Sequence, residues 1–412
     1  MTTESPSLDL EFVRAQFPTF DEPTLDKWAF FENAGGSYAC RQTIDRLHRY
    51  YTTTKVQPYA PYPASANAGA QMDNAHIRLG GHLNLDPDEV HMGPSTSQNT
   101  YVLAHALRAG WNDGDEIVVT DQDHEANSGV WRRLAETGIT VREWKVDPDS
   151  GSLDPAALGD LLGPRTRLVA FPHCSNIVAE VNPVAEICAQ VRAAGAVSVV
   201  DGVSAAPHGL PDVDALGADV YLFSAYKTYG PHQGVMTVRR SVMETLTNQS
   251  HWFNDGEVHK RLVPAGPDHA QVAAMNGVCD YIDLLHEHHY ADGAPAADRA
   301  RRVHDLIRAH ETELLSPLLD YLGTRSDARL VGPTTAEARV PTVSLQLSSD
   351  PGEAAAALAD HHVMAGAGDF YAVRLIEAIG MPANPGVLRV SFVHYTSPAE
   401  IDQLVRALDA VL

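Results

Sequence analysis

The sequence predicts an α/β fold: a mainly parallel seven-stranded sheet flanked by helices, followed by a smaller α+β domain. Three observations carry this. Up to about residue 240, apolar runs of strand length alternate with amphipathic helical runs, the pattern of a parallel sheet with helices on both faces. After about residue 275 the texture changes to long helical stretches with few strands. Polar clusters stand directly after five of the apolar runs, where open α/β sheets place their ligands.

In chain order, SLDLEFVRAQFP reads as a short helix stopped at Pro18, part of an N-terminal arm (1–18) expected to pack with the small domain. A large domain is expected over 19–275. Its strands fall at 89–92, 116–120, 140–145, 167–172, 196–201, 220–224 and 235–238. Helices between them fall at 99–108, 128–136 and 184–194. Val102, Leu103, Ala106 and Leu107 make one apolar stripe on the first of these. The small domain is expected over 276–412. A long helical stretch (271–285, then 296–310) leads into strands at 342–347 and 387–392 and a closing helix at 398–412. No low-complexity linker separates the domains, so tight packing between them is expected.

Composition narrows the function. A chain of 412 residues, 44% hydrophobic and 20% charged, has the balance of a globular enzyme. A formal net charge of −23 argues against nucleic acid or an anionic membrane surface as the main partner. No signal-peptide pattern and no run of about 18 apolar residues is present. Cys40, Cys174, Cys188 and Cys279 form no CxxC pair, so a reduced cytoplasmic protein with free thiols is expected.

The segment 196–231 is the most informative. One apolar strand ends in Asp201 and the next ends in Ser224, with Lys227 just beyond. The link between them is long enough for a crossover, so the two strands can lie parallel. A lone carboxylate and a lone amine delivered to strand ends suit pyridoxal phosphate. The lysine forms the Schiff base and the acid holds the proton on the pyridine nitrogen. Only five lysines occur (Lys27, Lys55, Lys145, Lys227 and Lys260), and Lys227 alone follows a strand among small residues and glycines. Taken singly it would be an exposed loop lysine; its neighbours reverse that reading.

Three further strand ends add to it. In GPSTSQN (93–99), Ser95 and Thr96 open a helix and suit a phosphate, although a plain Ser/Thr cap would look the same. In DQDHEANSGVW (121–131), His124 suits the face of a flat cofactor, or is a turn histidine. In HCSNIVAEV (173–181), Asn176 suits a ring oxygen, or is a turn asparagine. Together these strand ends meet five needs of one cofactor: phosphate, ring face, ring oxygen, ring nitrogen and aldehyde. No GxGxxG after a strand and no GxxxxGK[ST] is present, which disfavours dinucleotide and P-loop sites.

These residues resemble the fold-type I pyridoxal-phosphate enzymes of aminotransferase class V, the group of cysteine desulfurases, selenocysteine lyases, kynureninase and isopenicillin N epimerase. FENAGGSYA (31–39), DHEAN, HCSN, VDG, SAYKTYGPHQG and LRVSFVHYTSPAEIDQL (388–404) carry the likeness, which is nearest to the cysteine desulfurase-like subgroup. The resemblance implies that Lys227 carries the cofactor and shuttles the Cα proton. Asp201 would pair with the pyridinium, Ser204 would sit near the ring oxygen and His124 would stack on the ring. Thr96 and Ser224 would bind phosphate, with Tyr226 where many desulfurases place a phosphate-binding histidine. Arg389 would clamp the substrate α-carboxylate, and the turn at Asn33 would help wall the pocket. It also implies a homodimer with the site at the interface and a small amino acid as substrate.

Two departures follow. The loop that carries the desulfurase persulfide cysteine reads AGAGDFYAVRL (365–375), with Tyr371 at the cysteine position. The segment expected to reach across the interface reads AGPDH (265–269), with Gly266 where a threonine would stand. The expected reaction is therefore β-elimination at Cβ, most simply of a C–S bond, without a persulfide on that loop. Transamination or epimerisation at the same site is the alternative. A metal-dependent hydrolase is the remote one: HEHH (286–289) is the densest histidine cluster, but HExxH fails at Tyr290. These histidines, with His361 and His362, are read as solvated helix residues, and no metal site is expected.

Overall fold

A computed structural model describes residues 6–412. Seven strands form the main sheet: β1 (Val90–Gly93), β2 (Glu116–Thr120), β3 (Thr140–Trp144), β4 (Thr166–Pro172), β5 (Val197–Asp201), β6 (Val220–Ser224) and β7 (Gly234–Val238). Their spatial order is β1-β7-β6-β5-β4-β2-β3. All seven lie within one residue of the positions the sequence predicts. Only β7 runs against its neighbours; the other pairings are parallel. A short link after β6 explains the reversal, because Ala225 to Gln233 is enough for a turn and too little for a crossover helix. The central strands β5, β6 and β7 are buried almost throughout and read as continuous apolar runs, as sheets covered on both faces require.

A second sheet holds β8 (Ala328–Val331), β9 (Thr342–Leu347), β10 (Gly366–Gly368) and β11 (Val387–Ser391), ordered β10-β11-β9-β8 and antiparallel. Its core includes Leu314, Leu318, Val343, Leu388 and Phe392, together with Ala29 and Phe31 from near the start of the chain. That early segment pairs in parallel with Val363–Met364, so residues near 30 belong to the second sheet's layer. Residue 275 lies inside the helix His269–His289, which packs on Arg41–Thr53 and Pro63–Leu83 and shares the main core as far as Leu285.

The helix Ala296–Gly323 runs well past its expected end at 310 and through Pro317. Beyond that point Leu314, Leu315, Leu318, Leu319 and Leu322 are buried, and this continuous apolar face outweighs the proline. The reading of 286–289 as solvated histidines holds for His288, which is exposed, and is corrected for His286 and His289. His286 is buried, His288 stacks on Phe12 at 3.7 Å, and His289 accepts from the Asp9 backbone N–H at 2.9 Å. His288 and His289 fasten the N-terminal helix Leu10–Arg14 to the body. Its last residue, Arg14, donates to the Tyr395 carbonyl at 2.9 Å and pairs with Glu400 of the closing helix. Among the described residues no helix is long and apolar enough to cross a membrane.

Candidate active site

The carboxyl ends of β5 and β6 lie side by side, with Asp201 opposite Leu222. One turn of 3-10 helix, Ala225–Lys227, then carries Lys227 back over the sheet end. Asp201 and Lys227 line one cavity with Ser95, Thr96, His124, Asn176, Ser204, Ser224 and Tyr226. Nine of the residues singled out in the sequence thus meet in one place. Sheet topology does this: β1, β2, β4, β5 and β6 each release their polar cluster at the same edge.

At one end of the cavity the Thr96 and Ser224 hydroxyls share a 2.7 Å hydrogen bond. Ser95 caps the helix Thr96–Arg108, accepting from the Gln98 N–H at 3.2 Å. The helix start therefore presents backbone N–H groups and hydroxyls together, the donor set for a phosphate. Strand β7 runs close beneath. A Cβ at Gly234 would fall 2.3 Å from the Thr96 nitrogen, so only glycine allows this approach. Asn99 ties the turn down by donating to the Gly234 carbonyl at 3.1 Å.

Toward the other end, Asp201 accepts the Val203 N–H at 2.9 Å on one oxygen; the other has no partner among the described residues. Burial raises its carboxyl, and Lys227 opposes that. The Lys227 amine forms no hydrogen bond among the described residues. Burial lowers it to about 8, Arg389 adds to the effect, and Asp201 and Glu32 resist it. His124 caps the helix Glu125–Arg133, its Nδ1 accepting from the Ala126 N–H at 3.0 Å. Burial, then Lys227 and Arg389, lower it to about 4, so the ring is neutral at pH 7. The turn beneath it is fixed by Asp123, which burial raises to about 8 and which binds the Thr120 hydroxyl and the Asn127 amide.

Four predicted residues stand differently. Asn33 borders a small adjoining cavity with Ser204 and Lys227, but its amide donates to the Phe30 and Ser391 carbonyls and its oxygen accepts from Tyr395. Its side chain fastens the turn to β11 and is corrected from a substrate contact to a structural tie. Asn176 donates to the Phe370 carbonyl at 3.0 Å, so its amide is committed to the 366–371 loop while its Oδ1 is buried without a partner. Arg389 and Tyr371 stand off the cavity. Arg389 is 3% exposed and pairs with Glu32 at 2.9 Å. Tyr371 is 71% exposed, its ring 5.3 Å from that of His124.

Sequence reasoning missed His232, Cys174, Gln122 and Glu32. His232 lines the cavity and stacks on Tyr226 at 4.9 Å; its place in the GPH triplet after Lys227 was the available signal. Cys174 lines the cavity beside Asn176, but its thiol donates to the Ala179 carbonyl and burial pushes it up to about 12. Glu32 gave no signal, because its partner lies 357 residues away.

The chain is also similar to known proteins. The family model for aminotransferase class-V matches residues 29–269 and 301–404, and the chain belongs to that family of pyridoxal-phosphate-dependent proteins. It is 34% identical to an aminotransferase-like protein of Gibberella zeae, over 99% of this chain and 100% of that one. A probable cysteine desulfurase of Streptomyces coelicolor is 29% identical over 98% of this chain and 97% of its own. In fold, an apo cysteine desulfurase from Thermococcus onnurineus superposes with a TM-score of 0.85 at 22% identity, covering 99% of both chains. A cysteine desulfurase of Escherichia coli gives 0.82 at 21%, covering 98% of this chain and 99% of its own.

The residues present fit pyridoxal 5'-phosphate. Paired hydroxyls and N–H groups stand at one end of the cavity and a half-bare carboxylate at the other. An amine without a partner and a neutral imidazole lie between. Thr96, Ser95 and Ser224 would hold the phosphate, Asp201 the ring nitrogen, His124 the ring face and Lys227 the aldehyde carbon.

Proposed function

We propose that this protein is a pyridoxal-phosphate-dependent lyase that eliminates a β-substituent, most simply a sulfur group, from a small amino acid. The observation that supports it best is the placement of a half-buried amine, Lys227, and a buried acid, Asp201, at adjacent strand ends of one cavity. When bound, the cofactor supplies a sink for the charge left at a substrate carbon. Lys227 holds and returns a proton at Cα; an amine lowered to about 8 does both near neutral pH. Asp201 accepts a hydrogen bond from the ring N–H. Arg389 receives the α-carboxylate once it is freed from Glu32.

The relatives include proteins named as cysteine desulfurases, whereas the chemistry proposed here does not pass sulfur to a cysteine. Cys174 is the one cysteine lining the cavity. With its thiol near 12, only about 10⁻⁵ of it is thiolate at pH 7. Tyr371, exposed beside His124, is proposed as the acid that protonates the leaving group. A homodimer acting on a free amino acid is part of this reading.

Transamination is the second reading. It is favoured by the Gibberella zeae relative, which is named aminotransferase-like. Product analysis of the holoenzyme separates the two. The panel is cysteine, cysteine sulfinate and cysteine S-conjugates, with and without pyruvate. Release of sulfide or thiol without added pyruvate supports the lyase; sulfite from cysteine sulfinate with alanine as co-product, which leaves the bond's electrons on Cβ, overturns elimination, and turnover only with pyruvate overturns it for an aminotransferase.

A further inference from the structure

Arg389, read above as the receptor of the substrate carboxylate, is already engaged. Its guanidinium donates to Glu32 Oε1 at 2.9 Å and to the Asn176 carbonyl at 3.3 Å. The Phe370 ring covers it, 3.6 Å from guanidinium carbon to ring centroid. Its Nε is buried without a partner among the described residues.

The Glu32 carboxylate sits in a cradle built for it. A Cβ at Gly35 would fall 2.7 Å from Oε1, and one at Gly366 would fall 2.8 Å from Oε2. Neither glycine has a positive φ, so what each position requires is space for this carboxylate and not an unusual backbone. Glu32 Oε2 is buried and accepts nothing. The aromatic cover is held at a cost. Phe370 and Tyr371 both have positive φ, 48° and 59°, a backbone conformation that is strained for residues bearing a side chain. Asn176 to the Phe370 carbonyl at 3.0 Å and the Glu125 N–H to the Tyr371 carbonyl at 2.8 Å keep the loop there.

A carboxylate approaching Arg389 therefore meets one edge taken by a carboxylate and one face taken by a ring. We propose that Glu32 is an internal stand-in for the ligand's carboxylate and thereby a specificity-determining residue. A ligand held only by its carboxylate does not displace Glu32. An amino acid, anchored also through its amine, competes at high effective concentration and does. The inference rests on the reading of Arg389 as the carboxylate receptor.

Propionate, a carboxylate with no amine, tests it by calorimetric titration of the holoenzyme. Glu32→Gln is expected to tighten propionate binding about tenfold or more, the change that a charge-assisted hydrogen bond carries. Gly366→Ala crowds Glu32 Oε2 without changing any charge, and is expected to tighten it in the same direction should the first variant fold poorly. Unchanged or weaker binding in the folded variants overturns the stand-in role and leaves Glu32 as a partner that orients Arg389. Adding Arg389→Ala to Glu32→Gln is expected to abolish the gain. A gain that persists without Arg389 overturns the carboxylate-receptor reading itself.

Discussion

Thr96 and Ser224 share a 2.7 Å hydrogen bond between hydroxyls 128 residues apart. One opens the helix Thr96–Arg108 and the other closes β6, so the bond locks two separate donors of the phosphate end into one geometry. The hydroxyl that accepts this bond keeps its proton for an anion, and the one that donates it can redirect its proton when the anion binds. Thr96→Val and Ser224→Ala are each expected to raise the cofactor dissociation constant of the apoprotein about tenfold to a hundredfold, for one charge-assisted hydrogen bond lost. Fluorescence titration with pyridoxal phosphate measures it. Wild-type affinity in both variants would remove this pair from the phosphate end.

Lys227 is expected to show its environment through pH. An amine lowered to about 8 is roughly 10% neutral at pH 7, so the rate of cofactor capture rises through about pH 8 and flattens above it. Asp201 raises this amine and Arg389 lowers it. Asp201→Asn should move the midpoint down and Arg389→Ala should move it up. Stopped-flow absorbance of the apoprotein mixed with pyridoxal phosphate gives all three profiles. Lys227→Ala should show no covalent capture at any pH, and a borohydride-fixed adduct in that variant would contradict the assignment.

The parts of this site visible in the sequence are those whose neighbours in space are neighbours in pattern. Each strand announces itself by an apolar run, and each polar cluster follows its own strand. Parallel topology then brings Ser95, His124, Asn176, Asp201 and Lys227 to one edge without further information. What was illegible depends on pairing across the chain. The use of Asn33 is set by Ser391 and Tyr395, and Arg389 is held by Glu32. The short strands β8 and β10 and the helices Arg41–Thr53 and Pro63–Leu83 also escaped. A three-residue strand such as Gly366–Gly368 has no room for a periodic pattern, and it is a strand because β11 lies beside it.

Acid is expected to destabilise the fold well before the carboxylates would. Burial lowers His124 and His173 to about 4, and His91 and His394 to about 3. The unfolded chain protonates these rings near 6.5, so between about pH 6.5 and 4 it binds more protons than the native state and stability falls as pH falls. Each histidine contributes on the order of 1 kcal/mol per pH unit inside that window. Asp123, raised to about 8, and Asp201, also raised, act in the opposite direction but are fewer. Thermal melting across pH 4 to 7.5 is expected to show Tm dropping steadily below 6.5. A flat or rising Tm toward pH 4.5 would mean that these rings are not held neutral.

Tyr371, and not Cys174, is proposed to serve the leaving group. Cys174 lines the cavity, yet its thiol is pushed to about 12 and donates to a carbonyl, so it serves as packing. Tyr371 is reached by solvent, its backbone is pinned by Asp369 and Glu125, and its ring faces His124 at 5.3 Å. Cys174→Ala should therefore leave the rate of β-elimination within about twofold, because a surface of similar size replaces a thiol that is not ionised. Tyr371→Phe keeps the ring and removes only the hydroxyl, and should lower kcat by about 10² when the leaving group is a poor one such as an alkyl thiolate. The loss should shrink for β-chloroalanine, whose chloride leaving group needs no proton. An equal loss for both leaving groups would show that Tyr371 acts by shaping the loop, and a large loss in Cys174→Ala would return the sulfur chemistry to the thiol.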